Sequence, residues 1–177
     1  MDIFDFLAKI PVMPNLNIEN VFVHQNQLHG TLLGNACVEN QTLVLEYFMN
    51  LKGDKKIDFN CNSNEDDYHV PIDDDACFSL FHEACNSGNI EVVKLFLKYA
   101  EELSIDLNQH EPLEGRTPFM LARSKDVVEL LLNDERIDVN ATSYEGETSL
   151  FYAIDFIDFI EDNEKDLEVF DCLLSSS

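Results

Sequence analysis

The sequence predicts an all-α fold built from stacked helix–turn–helix units. A hydroxyl residue is followed two positions later by a large apolar residue and five positions later by alanine. This pattern occurs at Thr31/Leu33/Ala36, Ser79/Phe81/Ala84, Thr117/Phe119/Ala122 and Thr148/Leu150/Ala153. A stripe of apolar residues at helical spacing follows each copy, and the 6 glycines and 5 prolines leave no long flexible linker. Such a unit cannot bury its apolar face alone, so we expect the units to stack.

Each copy has the residues expected at the start and end of an inner helix, followed by the apolar stripe of an outer helix. The hydroxyl residue stands at the N-cap, where its oxygen can accept from free N–H groups of the first turn. Pro118 follows Thr117 at the first helical position, where a missing donor costs nothing. Gly88 is expected to end its helix in the left-handed conformation. The predicted outer helices carry Val92, Val93, Leu95, Phe96 and Leu97, then Val127, Val128, Leu130, Leu131 and Leu132, then Leu167, Val169, Phe170, Leu173 and Leu174.

The spacing divides the chain into a cap and a repeat domain of unequal units. Residues 1–26 are predicted to form an N-terminal helical cap, and residues 27–177 the repeat domain. Its units are predicted at 27–61, 74–108, 112–141 and 143–174, with an acidic insertion at 53–77. Extra residues from Ala100 to Ile105 lengthen the second outer helix. Val127 follows Ala122 by only five positions, so the inter-helix turn of the third unit must be tight.

The residues from Ser79 to Leu97 carry a family resemblance. Their spelling, SLFHEACNSGNIEVVKLFL, resembles the ankyrin repeat, whose usual core reads T-P-L-H-x-A-A-x-x-G-x-x-x-V-V-x-L-L-L. Similar copies open with EGRTPFMLA and EGETSLFYA, and a weaker one with GTLLGNAC. The resemblance implies an ankyrin-repeat solenoid with short hairpin loops, irregular repeat lengths and atypical caps. It also implies that His82 hydrogen-bonds between neighbouring hairpins.

The same resemblance implies a protein-binding function. Ankyrin arrays mostly bind proteins through hairpin tips and inner helices, which form a concave groove. Carried over to this sequence, the partner-binding positions are Asp75, Phe78, Asn86, Ser87, Leu113, Glu114, Arg116, Tyr144, Glu145 and Glu147. An exposed Phe78 or Tyr144 beside acids would anchor a basic, partly apolar partner. An internal structural or assembly module without an external ligand is the alternative.

The charge balance narrows the class of partner. The chain has 35 acidic and 11 basic residues and a net charge of −24. This balance favours basic proteins and disfavours nucleic acid and anionic membranes. The sequence has no apolar run of about 18 residues, so no membrane insertion is expected. Its acidic start lacks the features of a secretory signal peptide.

Catalysis, a cofactor and a metal site are not expected. The 5 cysteines are an odd number, and no C-x-x-C pair gives zinc-ligand spacing. Cys37 and Cys85 follow the repeat alanine, where a small buried residue fits, and they indicate a reduced, cytoplasmic protein. Phosphate-loop, G-x-S-x-G and H-E-x-x-H motifs are absent from the sequence. A cysteine-dependent enzyme is a further alternative because cysteine, histidine and acid all occur.

The C-terminal residues resemble an export signal. An acidic block at 161–168 precedes the apolar stretch 169–174 and three serines. This pattern is similar to the C-terminal signals of effectors that intracellular bacteria export by type IV secretion. It implies an ankyrin-repeat effector delivered into the host cytoplasm. The competing interpretation is that the same residues form the turn and outer helix of the last unit.

Overall fold

The computed structural model describes residues 32–51, 58–60, 78–159 and 164–175, without the side chains of Leu32, 155–159 and 164–166. Within these ranges the chain forms α1 Leu32–Val38, α2 Thr42–Met49, α3 Leu80–Ser87, α4 Ile90–Leu103, α5 Lys125–Leu132, α6 Ser149–Phe159 and α7 Glu164–Ser175. The predicted all-α repeat fold is confirmed. The predicted cap at 1–26, most of the acidic insertion and Asp75 lie outside the described residues.

The helices form two layers that run along the stack of units. In the inner layer α1 packs on α3, and in the outer layer α2, α4, α5 and α7 pack in succession. One continuous core joins the layers, and within it the Phe96 ring lies 5.6 Å from the Phe81 ring and 6.1 Å from the Phe59 ring. Burying side chains of this size contributes about 1.5–3 kcal/mol each.

The second unit follows the sequence prediction closely. Gly88 ends α3 with φ +71°, and its N–H donates to the carbonyl of Cys85 at 3.2 Å. This left-handed conformation suits glycine because no Cβ meets the following carbonyl. α4 then runs for 14 residues, compared with 8 in α5, and includes most of the predicted extra residues.

The third unit departs from the prediction. The sequence predicts an inner helix after Thr117, but residues 118–121 form successive turns, with Leu121 N–H donating to Pro118 at 3.2 Å. Thr117 is buried, and its Oγ1 has no hydrogen-bond partner in the described part of the chain, so it caps no helix. Val127 follows Ala122 by only five positions, which leaves no length for a full helix and a reversal before α5. Phe119 still enters the core.

The last unit leaves part of its predicted apolar stripe exposed. Val169 and Leu173 are buried on α7, whereas Leu167 and Leu174 of the same predicted stripe are 52% and 48% exposed. Further exposed apolar side chains lie on α6, at Phe151 and Ile154, which stand at the positions of the fully buried His82 and Cys85 of the second unit. Within the described residues, these four apolar side chains of the last unit are therefore exposed.

Asparagine side chains tie the loops after the outer helices together. Asn60 Nδ2 donates to the carbonyl of Ser104 at 2.7 Å, and its Oδ1 accepts from the N–H of Asp106 at 2.7 Å. Asn108 makes the same two contacts with the next loop, at 2.8 and 2.7 Å. These paired contacts satisfy backbone groups of exposed loops and fix the spacing of successive units.

Candidate protein-interaction surface at the hairpin tips

Two hairpin tips that open the third and fourth units lie side by side. The first comprises residues 110–116 and the second residues 143–147, and the N–H of Tyr144 donates to the carbonyl of Glu114 at 2.8 Å. Leu113 and Tyr144 are 41% and 63% exposed, and Glu114 and Glu145 are also exposed. We call these four residues the tip surface. The structure therefore brings together four of the predicted partner-binding residues.

A buried carboxylate fixes the conformation of the first tip. Glu111 is fully buried, and its oxygens accept from the N–H groups of Leu113 at 2.7 Å, Glu114 at 2.8 Å and Arg116 at 3.1 Å. Burial by itself raises the pKa of Glu111. The backbone hydrogen bonds and the Arg116 charge outweigh that effect and hold the pKa below its ordinary value of 4.5. Glu111 is therefore ionised at neutral pH and keeps the tip in one shape.

The positive charge of Arg116 pairs with carboxylates of the protein itself. Its Nε lies 3.2 Å from Glu111 Oε1 and 3.2 Å from Glu114 Oε2, and its Cζ lies 5.2 Å from the centroid of the Phe78 ring. Phe78 is only 4% exposed and stacks on His82 at 5.6 Å. The prediction that Phe78 is an exposed anchor is therefore wrong, because Arg116 and His82 cover its ring.

His82 connects the second unit to the third. Its Nδ1 lies 3.2 Å from the N atom and 2.8 Å from Oγ of Ser79, and its Nε2 lies 3.1 Å from the carbonyl of Arg116. Because Nδ1 accepts from the Ser79 N–H, Nε2 must carry the proton and donate it to Arg116. Burial lowers the pKa of His82 to about 4, so the imidazole is neutral. The predicted bridge between hairpins is confirmed.

The Tyr144 side chain is exposed, yet its ring packs against residues of the first tip. Its ring stacks on His110 with a centroid distance of 6.1 Å and an interplanar angle of 9°. Gly115, at φ +75°, has no side chain beneath the ring, and a Cβ there would lie 2.5 Å from Tyr144 Cδ1. His110 Nδ1 in turn lies 2.7 Å from the Gly115 carbonyl oxygen. The exposed ring therefore has a position fixed by the neighbouring tip.

The two acids of the second tip have different surroundings. Glu147 is half-buried, and its Oε2 accepts from Ser143 Oγ at 3.4 Å. Burial raises the pKa of Tyr152 to about 12, against the lowering effect of its hydrogen bond with Ser143, and the side chain of Glu147 raises the pKa further. Glu145 is exposed, and its carboxylate has no hydrogen bond or ion pair with the described residues. Glu145 is thus available to a ligand, whereas Glu147 also supports the tip.

Asn86 and Ser87 lie apart from the tip surface, at the end of α3. Both are half-buried. Ser87 Oγ donates to the carbonyl of Ala84 at 2.9 Å, and Asn86 Oδ1 has no partner among the residues that the structure describes. Their predicted place on an inner helix agrees with the structure, and their contact with a partner stays a prediction.

The buried thiols have the chemistry of core residues. Cys37 and Cys85 are fully buried, and Cys37 Sγ lies 3.7 Å from the carbonyl of Leu80. Burial raises the pKa of both thiols, so neither is an activated nucleophile at neutral pH.

In the described ranges, no three or more His, Cys, Asp or Glu side chains are grouped to hold a metal ion. The helices of the same ranges include none with the length and apolar character needed to cross a membrane.

The stacked helical units define a helical-repeat protein. A sequence model of the family described as ankyrin repeats (3 copies) matches residues 81–175, and the chain belongs to this family. The chain is also 28% identical over 148 residues to the nuclear factor NF-kappa-B p105 subunit of Gallus gallus. That alignment covers 82% of this chain and 13% of the relative, so the chain spans only a small part of it. Ankyrin repeats are typically non-enzymatic modules that bind other proteins.

Proposed function

We propose that this protein binds a basic, partly apolar segment of another protein in the concave groove expected at its hairpin tips and inner helices. The tip surface carries this proposal. Exposed Leu113 and Tyr144 are adjacent in the chain to the acids Glu114 and Glu145. The cation of the same tip, Arg116, is paired internally with Glu111 and Glu114, so the two carboxylates outweigh its charge and Glu145 adds a further negative charge. Such a surface attracts positive charge and offers apolar area to bury.

The two kinds of side chain contribute differently to binding. Exposed aromatic and aliphatic anchors supply most of the affinity once water is excluded from them. Carboxylates at the rim mainly set the association rate and the choice of partner, and their long-range effect weakens with salt. The net charge of −24 extends that attraction over the whole molecule. A partner is therefore selected first by charge and then held by Leu113 and Tyr144.

A kinetic experiment tests this division. A partner captured from a eukaryotic cytosolic lysate is purified, and its binding is measured at several salt concentrations. We expect Tyr144→Ala to speed dissociation and Glu145→Lys chiefly to slow association at low salt. Glu91→Lys is the matched control, because Glu91 is exposed on α4 and pairs only locally with Lys94 at 2.7 Å.

Three outcomes have distinct meanings. A larger effect of Glu145→Lys than of Glu91→Lys supports binding at the tips. Unchanged binding in a variant with Tyr144→Ala and Glu145→Lys places the interface elsewhere, and the 53–77 insertion is then the next segment to test. Failure to capture any specific partner favours the alternative of an internal structural or assembly module.

The effector hypothesis is a narrower proposal with its own test. The acidic and apolar residues that resemble an export signal lie largely in α7, where Val169 and Leu173 are buried. The same residues therefore also form the outer helix of the last unit. A reporter fused to residues 161–177 and delivered into host cells by a type IV system would support export and host cytoplasmic action. Absence of delivery removes the effector role and leaves the binding proposal intact.

A further inference from the structure

One cation of this protein lies between an aromatic ring and a carboxylate at the first tip. Arg116 Cζ is 5.2 Å from the centroid of the Phe78 ring, and Arg116 Nε is 3.2 Å from Glu111 Oε1. The negative face of an aromatic ring attracts a cation, and the carboxylate adds a charge-assisted hydrogen bond. The three groups form a cation–aromatic–carboxylate set.

A second set of the same composition joins two outer helices. Lys98 Nζ on α4 lies 4.6 Å from the centroid of the Tyr99 ring and 3.1 Å from Glu46 Oε1 on α2. The Tyr99 hydroxyl donates to the same carboxylate oxygen at 3.3 Å. This chain therefore uses the combination at two independent places.

A third set is incomplete. The Tyr144 ring is 63% exposed, and the next residue in the chain, Glu145, is an exposed acid, whereas the carboxylate of Glu114 is already paired with Arg116 at 3.2 Å. Among the described side chains, no lysine or arginine lies over this ring. The ring is nevertheless held in place by His110 and Gly115, so no reorganisation is needed before a cation binds.

We infer that an arginine of the bound protein supplies the missing cation, stacking on the open part of the Tyr144 ring and pairing with Glu145. This inference rests on the proposed function and narrows the partner to an arginine-containing segment. Arginine suits the site better than lysine because its planar guanidinium stacks on a ring while its N–H groups reach a carboxylate. Gly115 then determines the preference for arginine, since its lack of a side chain lets the Tyr144 ring take its position.

Three peptides, in which glycine alternates with arginine, with lysine or with the neutral arginine isostere citrulline, test the inference. Their affinities are measured by calorimetry at about 20 mM salt, where charge is weakly screened. We expect the lysine peptide to bind about two- to fivefold more weakly than the arginine peptide, and the citrulline peptide at least about tenfold more weakly.

Variants separate the aromatic contribution from size and charge. Tyr144→Phe should retain the preference for arginine over lysine, and Tyr144→Leu, which keeps the apolar bulk without a ring, should lose it. Gly115→Ala should lose it as well, because its Cβ displaces the ring. Thermal melting checks that each variant folds, which is expected of the two Tyr144 variants because that side chain is 63% exposed.

The results also separate this inference from the proposed function. An arginine preference that persists in Tyr144→Leu overturns the inference. If Glu145→Lys then still abolishes peptide binding, the proposed function stands without it. If Tyr144→Leu and Glu145→Lys both bind all three peptides as the wild type does, the tip surface binds no basic segment and both proposals fail.

Discussion

At the scale of single residues, buried His82 determines part of the dependence of stability on pH. Burial lowers its pKa from 6.5 to about 4, so between these values the unfolded chain binds a proton that the folded chain does not. The free energy of unfolding should therefore fall as the pH decreases from about 6.5 to 4, by about 3 kcal/mol in total. His82→Gln, which does not titrate, should lose this part of the slope. Urea unfolding at several pH values measures it, and equal slopes would contradict the prediction.

Glu111, another single residue, affects the dependence of stability on pH in a lower pH range than His82. Its pKa is depressed, so its contribution to stability is full above 4.5 and is lost as the pH falls towards the folded-state value. Glu111→Gln should lower the free energy of unfolding at pH 7 by about 3 kcal/mol, since buried N–H donors lose a charged acceptor. The cost should shrink below pH 4.5. Glu114→Gln, at an exposed carboxylate, should cost less than about 1 kcal/mol.

At the scale of elements, the same substitution should have different costs on two inner helices. Phe81 on α3 is fully buried, so Phe81→Ala should lower the free energy of unfolding by about 3–5 kcal/mol. Phe151 on α6 is 47% exposed, and Phe151→Ala should cost less than about 1.5 kcal/mol because little packing is lost. Chemical denaturation measures both. Similar costs would mean that residues beyond the described ranges cover α6.

The elements also show what the sequence could and could not predict. The N-cap, the apolar face and Gly88 together predict α3 and its end, because these signals are local. The pattern after Thr117 has equally strong local signals, yet the short distance from Ala122 to Val127 prevents a helix. Likewise the burial of Phe78 depends on Arg116 of the next unit, a contact between positions 38 apart in the sequence.

The tip surface was predictable to the same limited extent. Tyr144 and Glu145 could be assigned to a tip because the repeat pattern fixes where hairpins fall. The contact of the Tyr144 ring with His110 and Gly115 could not be predicted, since these residues belong to a different unit and the repeat pattern does not indicate which ring lies on them. The buried carboxylate of Glu111 was missed because most acids of so acidic a chain are solvated.

At the scale of the whole molecule, the excess of acid sets the response to salt. With 35 acidic and 11 basic residues, few of the carboxylates can be paired, and their mutual repulsion opposes the compact state. The ion pairs of the described surface include Arg136–Asp134 at 2.6 Å and Lys98–Glu46 at 3.1 Å. Exposed pairs of this kind contribute little, so repulsion should dominate.

Salt should therefore stabilise the fold and weaken the complex in one titration. Raising ionic strength from about 0.01 to 0.1 M shortens the screening length from about 30 to 10 Å. Repulsion within the folded chain is then reduced, and Tm should rise by several degrees. The affinity for the arginine peptide should fall over the same range, because attraction to the tips is screened too. Glu91→Lys should flatten the rise in Tm and change the binding curve only slightly, whereas Glu145→Lys should flatten both. A Tm that falls with salt would show that surface ion pairs outweigh the repulsion.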